Sequence, residues 1–328
     1  MLKSRTKSKP KQKKLPKNMN IILLAVGVII FAGIFLYNTY YSTNSSKGGV
    51  DLYVINDADC GVCDPTGVIV SLERYAISDL NPIILEPTDE KAQKMISELN
   101  ITTLPAFVFD KSIENAENFT FLERYMDEGK DYYLLRTRGS MLLNREEIPN
   151  KVDLFVMSHC PFGTLAEDNL VSVLDVLKGL NYEIHFIASE YNGTIYSLHG
   201  PSEVQEDKMQ SCIMKYYPSK TLDYLTCYNA NYTNTNQSSI CIQQLGLDQS
   251  KLDECVATEG KELLLNKMTL SNALNIASSP TLLINNKYLA VGLKSAEEMK
   301  QLICAQNPEL EGCDKTIENS KPTPSGVC

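Results

Sequence analysis

One plan occurs twice in this chain, about 100 residues apart. Val50-Asp51-Leu52-Tyr53-Val54 recurs as Val152-Asp153-Leu154-Phe155-Val156. Each run is short and rich in β-branched and aromatic residues, which predicts a buried strand. A cysteine follows each: Cys60 in DADCGVCDP and Cys160 in MSHCPFG. Amphipathic stretches come next. In the second copy Ala166, Leu170, Leu174 and Leu177 fall on one helical face, with Pro161 allowed in the first turn. Each copy then has an apolar strand entered through a proline: Thr103-Leu104-Pro105-Ala106-Phe107-Val108-Phe109, and Ser278-Ser279-Pro280-Thr281-Leu282-Leu283-Ile284.

At 328 residues the chain has room for two compact units of this kind. They are expected at 50–149 and 150–315, followed by a polar tail at 316–328. Pro105 lies 45 residues after Cys60, whereas Pro280 lies 120 after Cys160. The longer gap predicts an inserted helical subdomain at about 190–272, carrying Cys212, Cys227, Cys241 and Cys255.

The first fifty residues bear on location. Residues 1–18 hold eight basic and no acidic side chains, leaving 23 basic against 40 acidic in the rest of the chain. An acidic bulk argues against a nucleic-acid partner, because phosphate binding needs excess Lys and Arg on the binding face. Residues 19–46 carry no charge, and 21–37 (IILLAVGVIIFAGIFLY) are almost wholly apolar. That run, with Tyr40 and Tyr41, predicts a membrane-spanning helix at 19–41 crossing ~30 Å of hydrocarbon. No small-residue cleavage site follows it, so an uncleaved anchor is expected rather than a signal peptide. The basic tip would stay in the cytoplasm and 42–49 would be a tether, with the rest of the chain extracytoplasmic at the cell membrane. Ten cysteines suit an oxidising compartment.

Strand, cysteine at a helix start, then X-Pro before a strand is the element order of a thioredoxin fold. Both halves resemble thioredoxin-superfamily domains, in which that proline is cis and sits against the active-site sulfur. The fold expected is therefore α/β: two thioredoxin-like domains, the second with a cysteine-rich helical insert, behind one transmembrane helix. Residues 151–315 are similar to the γ-interferon-inducible lysosomal thiol reductase family, and to DsbA-like proteins. The similarity is carried by QSCIMKYYPSKTLDYLTCYN, SICIQQLGLDQSKLDECVATEGKELLLNKM and PTLLINNKYL, and by an ordered series of six cysteines ending in Cys304 and Cys313. Three features depart from that family. Its C-x-x-C is Cys160-Pro161-Phe162-Gly163 here, its C-Q-H-G is Leu198-His199-Gly200, and its following E-C is Glu203-Val204.

Cys60-Gly61-Val62-Cys63 carries the sharpest chemistry. Two residues between cysteines let both sulfurs meet in a first helical turn, where unpaired N–H groups and the helix dipole favour a thiolate. Cys60 is expected to attack a substrate disulfide and Cys63 to resolve the mixed disulfide. Asp57, Asp59 and Asp64 oppose thiolate formation by like-charge repulsion, which predicts a reducing or isomerising pair. Pro65, two residues past Cys63, predicts a late or kinked helix. Pro105 would shape the groove, leaving the backbone of Thr103 and Leu104 free for a client strand. Ser279 and Pro280 are the counterparts in the second domain.

Cys160 lacks a resolving thiol, so it is expected either to act as a monothiol or to mark a degenerate, client-holding domain. His159 beside it could stabilise a thiolate as imidazolium or be a bystander, while His185 reads as structural. Cys212, Cys227, Cys241 and Cys255 read as disulfide staples whose three possible pairings the sequence leaves open. Cys304 and Cys313 read as a helix-to-tail clasp, and Cys328 as a terminal thiol or a partner for Cys160. Three dispersed histidines and one C-x-x-C give no metal site, and no organic cofactor is needed. Asn44, Asn100, Asn118, Asn192, Asn231 and Asn236 open glycosylation sequons.

The expected activity is that of a membrane-anchored thiol–disulfide oxidoreductase acting on cysteine-containing client proteins. Its electrons would be exchanged with a partner thiol protein or a membrane oxidoreductase. The rival expectation is a non-catalytic, chaperone-like scaffold in which every cysteine is structural.

Overall fold

The computed structural model describes residues 49–318. The expected basic tip, membrane helix and most of the tether, together with Cys328, lie outside the described residues. Among the described residues no helix is long and apolar enough to cross a membrane.

The first unit runs β1 (Val50–Ile55), α1 (Thr66–Tyr75), β2 (Leu80–Leu85), α2 (Glu90–Leu99), β3 (Thr103–Leu104), β4 (Ala106–Asp110), a four-residue α3 (Phe119–Leu122), β5 (Met126–Glu128) and β6 (Tyr132–Leu135). A short β7 (Met141–Leu142) follows. The second unit opens with β8 (Lys151–Val156), α4 (Pro161–Val176), β9 (Asn181–Phe186) and a hairpin of β10 (Ser189–Tyr191) and β11 (Thr194–Tyr196). Five helices come next: α5 (Pro201–Tyr216), α6 (Thr221–Asn229), α7 (Gln237–Gln244), α8 (Gln249–Thr258) and α9 (Gly260–Ala273). The unit closes with β12 (Thr281–Ile284), β13 (Tyr288–Val291) and α10 (Ala296–Gln306).

The same four-strand arrangement underlies both units. In the first sheet, ordered β2-β1-β4-β6-β5, β1 pairs in parallel with β2 and antiparallel with β4. In the second, β8 pairs in parallel with β9 and antiparallel with β12, which pairs with β13. Both sheets thus hold a parallel pair formed by a crossover helix, continued by an antiparallel pair, with Leu104–Pro105 and Ser279–Pro280 both cis. This is a thioredoxin-like α/β fold, present twice.

Alternation along the strands divides the core. In β8, Val152, Leu154 and Val156 pack in one cluster with Ala166, Leu170 and Val173 of α4, while Phe155 turns to Leu283, Leu289 and Cys160. In β1, Leu52 and Val54 meet Phe107, Phe109 and Leu72. Tyr53 and Ile55 take the opposite side, in the cluster that holds Cys60, Cys63 and Leu104 and continues through Met141 to Tyr288 and Ile303 of the second unit. The two units therefore share one apolar core, and the C-x-x-C lies on the side where they meet.

The linker makes that junction. The second sheet is six-stranded, ordered β3-β7-β13-β12-β8-β9, so a strand of the first unit and the linker strand extend the sheet of the second. Sequence reading placed no strand at β7, because a two-residue element has no periodicity to detect.

Candidate active site

The two cysteine motifs sit differently on their helices. Cys60 and Cys63 form a disulfide, with their Cα atoms 5.3 Å apart. They occupy a turn closed by the Cys63 N–H donating to the Cys60 carbonyl, and helix α1 starts only at Thr66, after Pro65. The expectation that both sulfurs lie in a first helical turn is thus corrected: the proline, whose φ suits the edge of a helix and not its interior, delays the helix past both. The helix terminus expected to favour a Cys60 thiolate is not beside it. Cys160, by contrast, is the N-cap of α4, and its Sγ accepts from the Gly163 N–H at 3.2 Å.

Both sulfur centres lie next to their cis prolines. Cys63 Sγ is 3.7 Å from the carbonyl oxygen of Leu104, and Cys160 Sγ is 3.8 Å from that of Ser279. The structure thus brings together Cys60, Cys63, Leu104 and Pro105 in one centre, and Cys160, Ser279 and Pro280 in another. Both cysteines are buried, Cys60 being 6% exposed and Cys63 8%. A cleft of about 460 Å³ between the two units reaches Cys63, lined also by Gly61, Arg138, Ser140 and Lys294. A Cβ built on Gly61 would stand 3.2 Å from the Ala305 Cβ of α10.

The edge expected to be open beside Pro105 is closed. Thr103 and Leu104 pair antiparallel with Leu142 and Met141 of β7. The Ser140 N–H donates to the Leu104 carbonyl at 2.6 Å and the Leu143 N–H to Thr102 at 2.9 Å. The reason is compositional: this linker stretch supplies two apolar residues, and unpaired strand backbone is costly to leave beside a core.

The second centre rests on polar groups of which sequence reading had named only His159, His199 and Glu203. Ser158 Oγ donates to Asp207 at 2.6 Å, and the His159 N–H donates to Glu203 at 2.8 Å, so two carboxylates of α5 hold the loop just before Cys160. Glu203 also bonds the His199 ring at 2.9 Å. Glu167 of α4 accepts from Asn229 of α6 at 2.9 Å. Burial pushes Glu167 up to about 8, with Asp168 and Glu206 adding to the rise against the Asn229 hydrogen bond. Burial likewise pushes Glu206 up to about 7, and raises Asp207 well above the usual carboxylate range. His159 bonds the Tyr228 hydroxyl at 2.9 Å, and burial lowers its pKa against the attraction of Glu203. A thiolate-stabilising imidazolium at His159 is therefore disfavoured. Beside these groups a cavity of about 740 Å³ is lined by His159, His199, Glu206, Tyr228 and Tyr232.

The remaining cysteines are accounted for by position. Cys212 pairs with Cys255, tying α5 to α8, and Cys227 with Cys241, tying α6 to α7. Cys304 of α10 pairs with Cys313 beyond it. Cys160 is disulfide-bonded too, and none of those bridges uses it.

His185 bonds Asp153 at 2.8 Å, and with Glu183 these offer three metal-ligand atoms within 4.8 Å. The cation there is already supplied: Lys151 Nζ lies 2.6 Å from Asp153 and 3.7 Å from Glu183. The asparagines of the sequons at 100, 118, 192, 231 and 236 are all exposed, although Asn118 spends its amide on the Ala76 carbonyl at 3.0 Å. Asn44 lies outside the described residues.

Residues 151–245 match the family model of the gamma interferon inducible lysosomal thiol reductase, GILT. The second domain is GILT-like. No curated protein sequence matches the chain. Among solved structures, the thiol-disulfide exchange protein alpha-DsbA2 of Wolbachia pipientis is 12% identical, covering 50% of this chain and 83% of that one with a TM-score of 0.36. A putative protein disulfide isomerase of Nitrosomonas europaea is 11% identical, covering 50% and 99% with a TM-score of 0.39. A probable DsbA oxidoreductase of Streptomyces coelicolor is 9% identical, covering 48% and 90% with a TM-score of 0.40. The GILT-like domain has Cys160 at the start of α4 and Gly163 three residues on.

Proposed function

We propose that this chain is a thiol–disulfide oxidoreductase, anchored in a membrane by residues 19–41, with its two thioredoxin-like domains outside the cytoplasm. The observation that carries the reading is the Cys60–Cys63 disulfide lying against the carbonyl before a cis proline, with Cys63 Sγ 3.7 Å from Leu104 O. In the reduced enzyme the Cys60 thiolate attacks one sulfur of a client disulfide. A Cys60–client bond forms, and the client's other sulfur leaves as a thiolate that takes a proton. Cys63, deprotonated, then attacks Cys60, releasing the second client thiol and leaving Cys60–Cys63 oxidised. Two electrons from a partner thiol protein or a membrane oxidoreductase restore the dithiol.

The direction proposed is reduction or isomerisation. A helix N-terminus at Cys60 would stabilise the reduced, thiolate form and make the pair a strong oxidant. Here α1 begins at Thr66, and Asp57, Asp59 and Asp64 flank the two cysteines in the sequence. Both features support a pair that gives electrons readily. The GILT-like domain serves as a client-holding helper.

A second reading, a scaffold whose cysteines are all structural, draws on the low exposure of Cys60 and Cys63. Mild reduction of the folded protein followed by alkylation separates the two. The enzyme reading expects Cys60 to be modified well before the other nine cysteines; equal protection of all ten would favour the scaffold.

A further inference from the structure

The strand beside Pro105 and the strand that covers it belong to the same chain. We propose that residues 139–143 are a built-in occupant of the first domain's client site, so that a client strand reaches Thr103 and Leu104 only in a form where β7 has left β3. This deepens the oxidoreductase reading and rests on it.

Four observations converge. The first is the pairing: the Ser140 and Leu143 N–H groups donate to the Leu104 and Thr102 carbonyls, as a bound client backbone would. The second is the fit. Gly139 lies so close that a Cβ on it would stand 2.6 Å from the Leu104 oxygen, 2.7 Å from its nitrogen and 2.7 Å from Thr103 Cβ. Only glycine allows the linker to enter at this height, and no positive φ is involved. The third is what the closure covers. Cys60 and Cys63 are almost fully buried, with Gly139 and Ser140 lining the cleft that reaches Cys63.

The fourth is that β7 has two separable edges. Facing the second domain, the Leu142 N–H donates to the Lys287 carbonyl at 2.9 Å and the Ser140 carbonyl accepts from the Leu289 N–H at 2.6 Å. Arg145 further along is held by Asn286, with Nε 2.9 Å from its carbonyl oxygen. The linker is thus fastened to the GILT-like domain by its own set of bonds. Releasing the β3 edge lets β7 leave as part of the second domain without losing the other edge. Opening exposes the Thr102 and Leu104 carbonyls beside the disulfide, and a client strand replaces the same two hydrogen bonds.

Two substitutions weaken the β3 edge and leave the hydrogen bonds of the other edge in place. Gly139→Ala places a methyl against Leu104, and Leu143→Pro removes the N–H given to Thr102 while Leu142 keeps its bond to Lys287. The readout in the full chain is the rate at which tris(2-carboxyethyl)phosphine reduces Cys60–Cys63, followed by alkylation and peptide mapping, with near-ultraviolet circular dichroism confirming a folded protein. Either variant is expected to raise that rate at least tenfold, and to bind a fluorescein-labelled peptide copying residues 138–144 (RGSMLLN) that the wild type does not bind. Wild-type rates and no peptide binding in both folded variants would overturn the proposal. Faster reduction in proteins that reduce no client disulfide, open or closed, would keep the closure and refute the oxidoreductase reading instead.

Discussion

Gly163 stands against Ser279: a Cβ built on it would lie 2.7 Å from the serine Oγ and 2.8 Å from the Met157 carbonyl oxygen. The Ser279 hydroxyl is itself fixed in place, accepting the Met157 N–H at 3.0 Å. The place where a C-x-x-C would hold its second cysteine has closed. Restoring the residue does not restore the space. Gly163→Cys is expected to destabilise the GILT-like domain by about 1–3 kcal/mol through overpacking, seen as a lower thermal midpoint. An unchanged midpoint, with the introduced sulfur bonded to Cys160, would contradict this.

The buried carboxylates predict a pH dependence of stability. Glu167 is held near 8 in the folded chain against an ordinary value of 4.5, and Glu206 near 7. The folded state therefore binds more protons than the unfolded one between about pH 4.5 and 8. Stability is full below that window and falls as pH rises through it, with a slope of up to about 1.4 kcal/mol per pH unit for each group. Urea midpoints at pH 5 and pH 8 should show the lower stability at pH 8. Glu167→Gln, which keeps the shape and stays neutral, should flatten the slope. Equal midpoints for the wild type at both values would rule the effect out.

What could be read from the residues, and what could not, divides along range. Strand, cysteine and X-Pro strand are local patterns, and Val50–Ile55, Lys151–Val156 and the two cis prolines occupy the positions those patterns imply. Pro65 announced the late start of α1. The pairing of Thr103 with Leu142 was out of reach, since two residues carry no period and their partner lies far along the chain. Glu206 and Asp207 sit in EVQEDKMQ, a stretch with only Val204 and Met209 apolar, so nothing marked them as interior. Their burial comes from packing among the helices of the insert, which spacing alone does not reveal. The open question of the four insert cysteines had the same origin.

Those cysteines should differ in worth. In a chain-entropy account a bridge stabilises by constraining the unfolded chain, by about 4 kcal/mol for the 43-residue separation of Cys212 and Cys255 and about 3 kcal/mol for the 14-residue separation of Cys227 and Cys241. Cys212→Ser with Cys255→Ser should therefore lower the denaturation midpoint more than the Cys227 and Cys241 double substitution. The reverse ranking would show that local packing, not loop length, decides.

The turn at Cys60 predicts a potential. Without a helix terminus at the sulfur, the Cys60–Cys63 couple should lie closer to that of thioredoxin, about −270 mV, than to that of the strong oxidant DsbA, about −120 mV. Equilibration against glutathione buffers measures it. A value near −120 mV would contradict the reducing direction.

The most direct measurement is covalent capture. In cells expressing the full chain, Cys63→Ser leaves Cys60 able to attack and unable to let go, so client proteins should accumulate as mixed disulfides that reductant releases, each mapping to Cys60. An empty trap, or adducts formed equally well when Cys60 is also replaced by serine, would contradict the account.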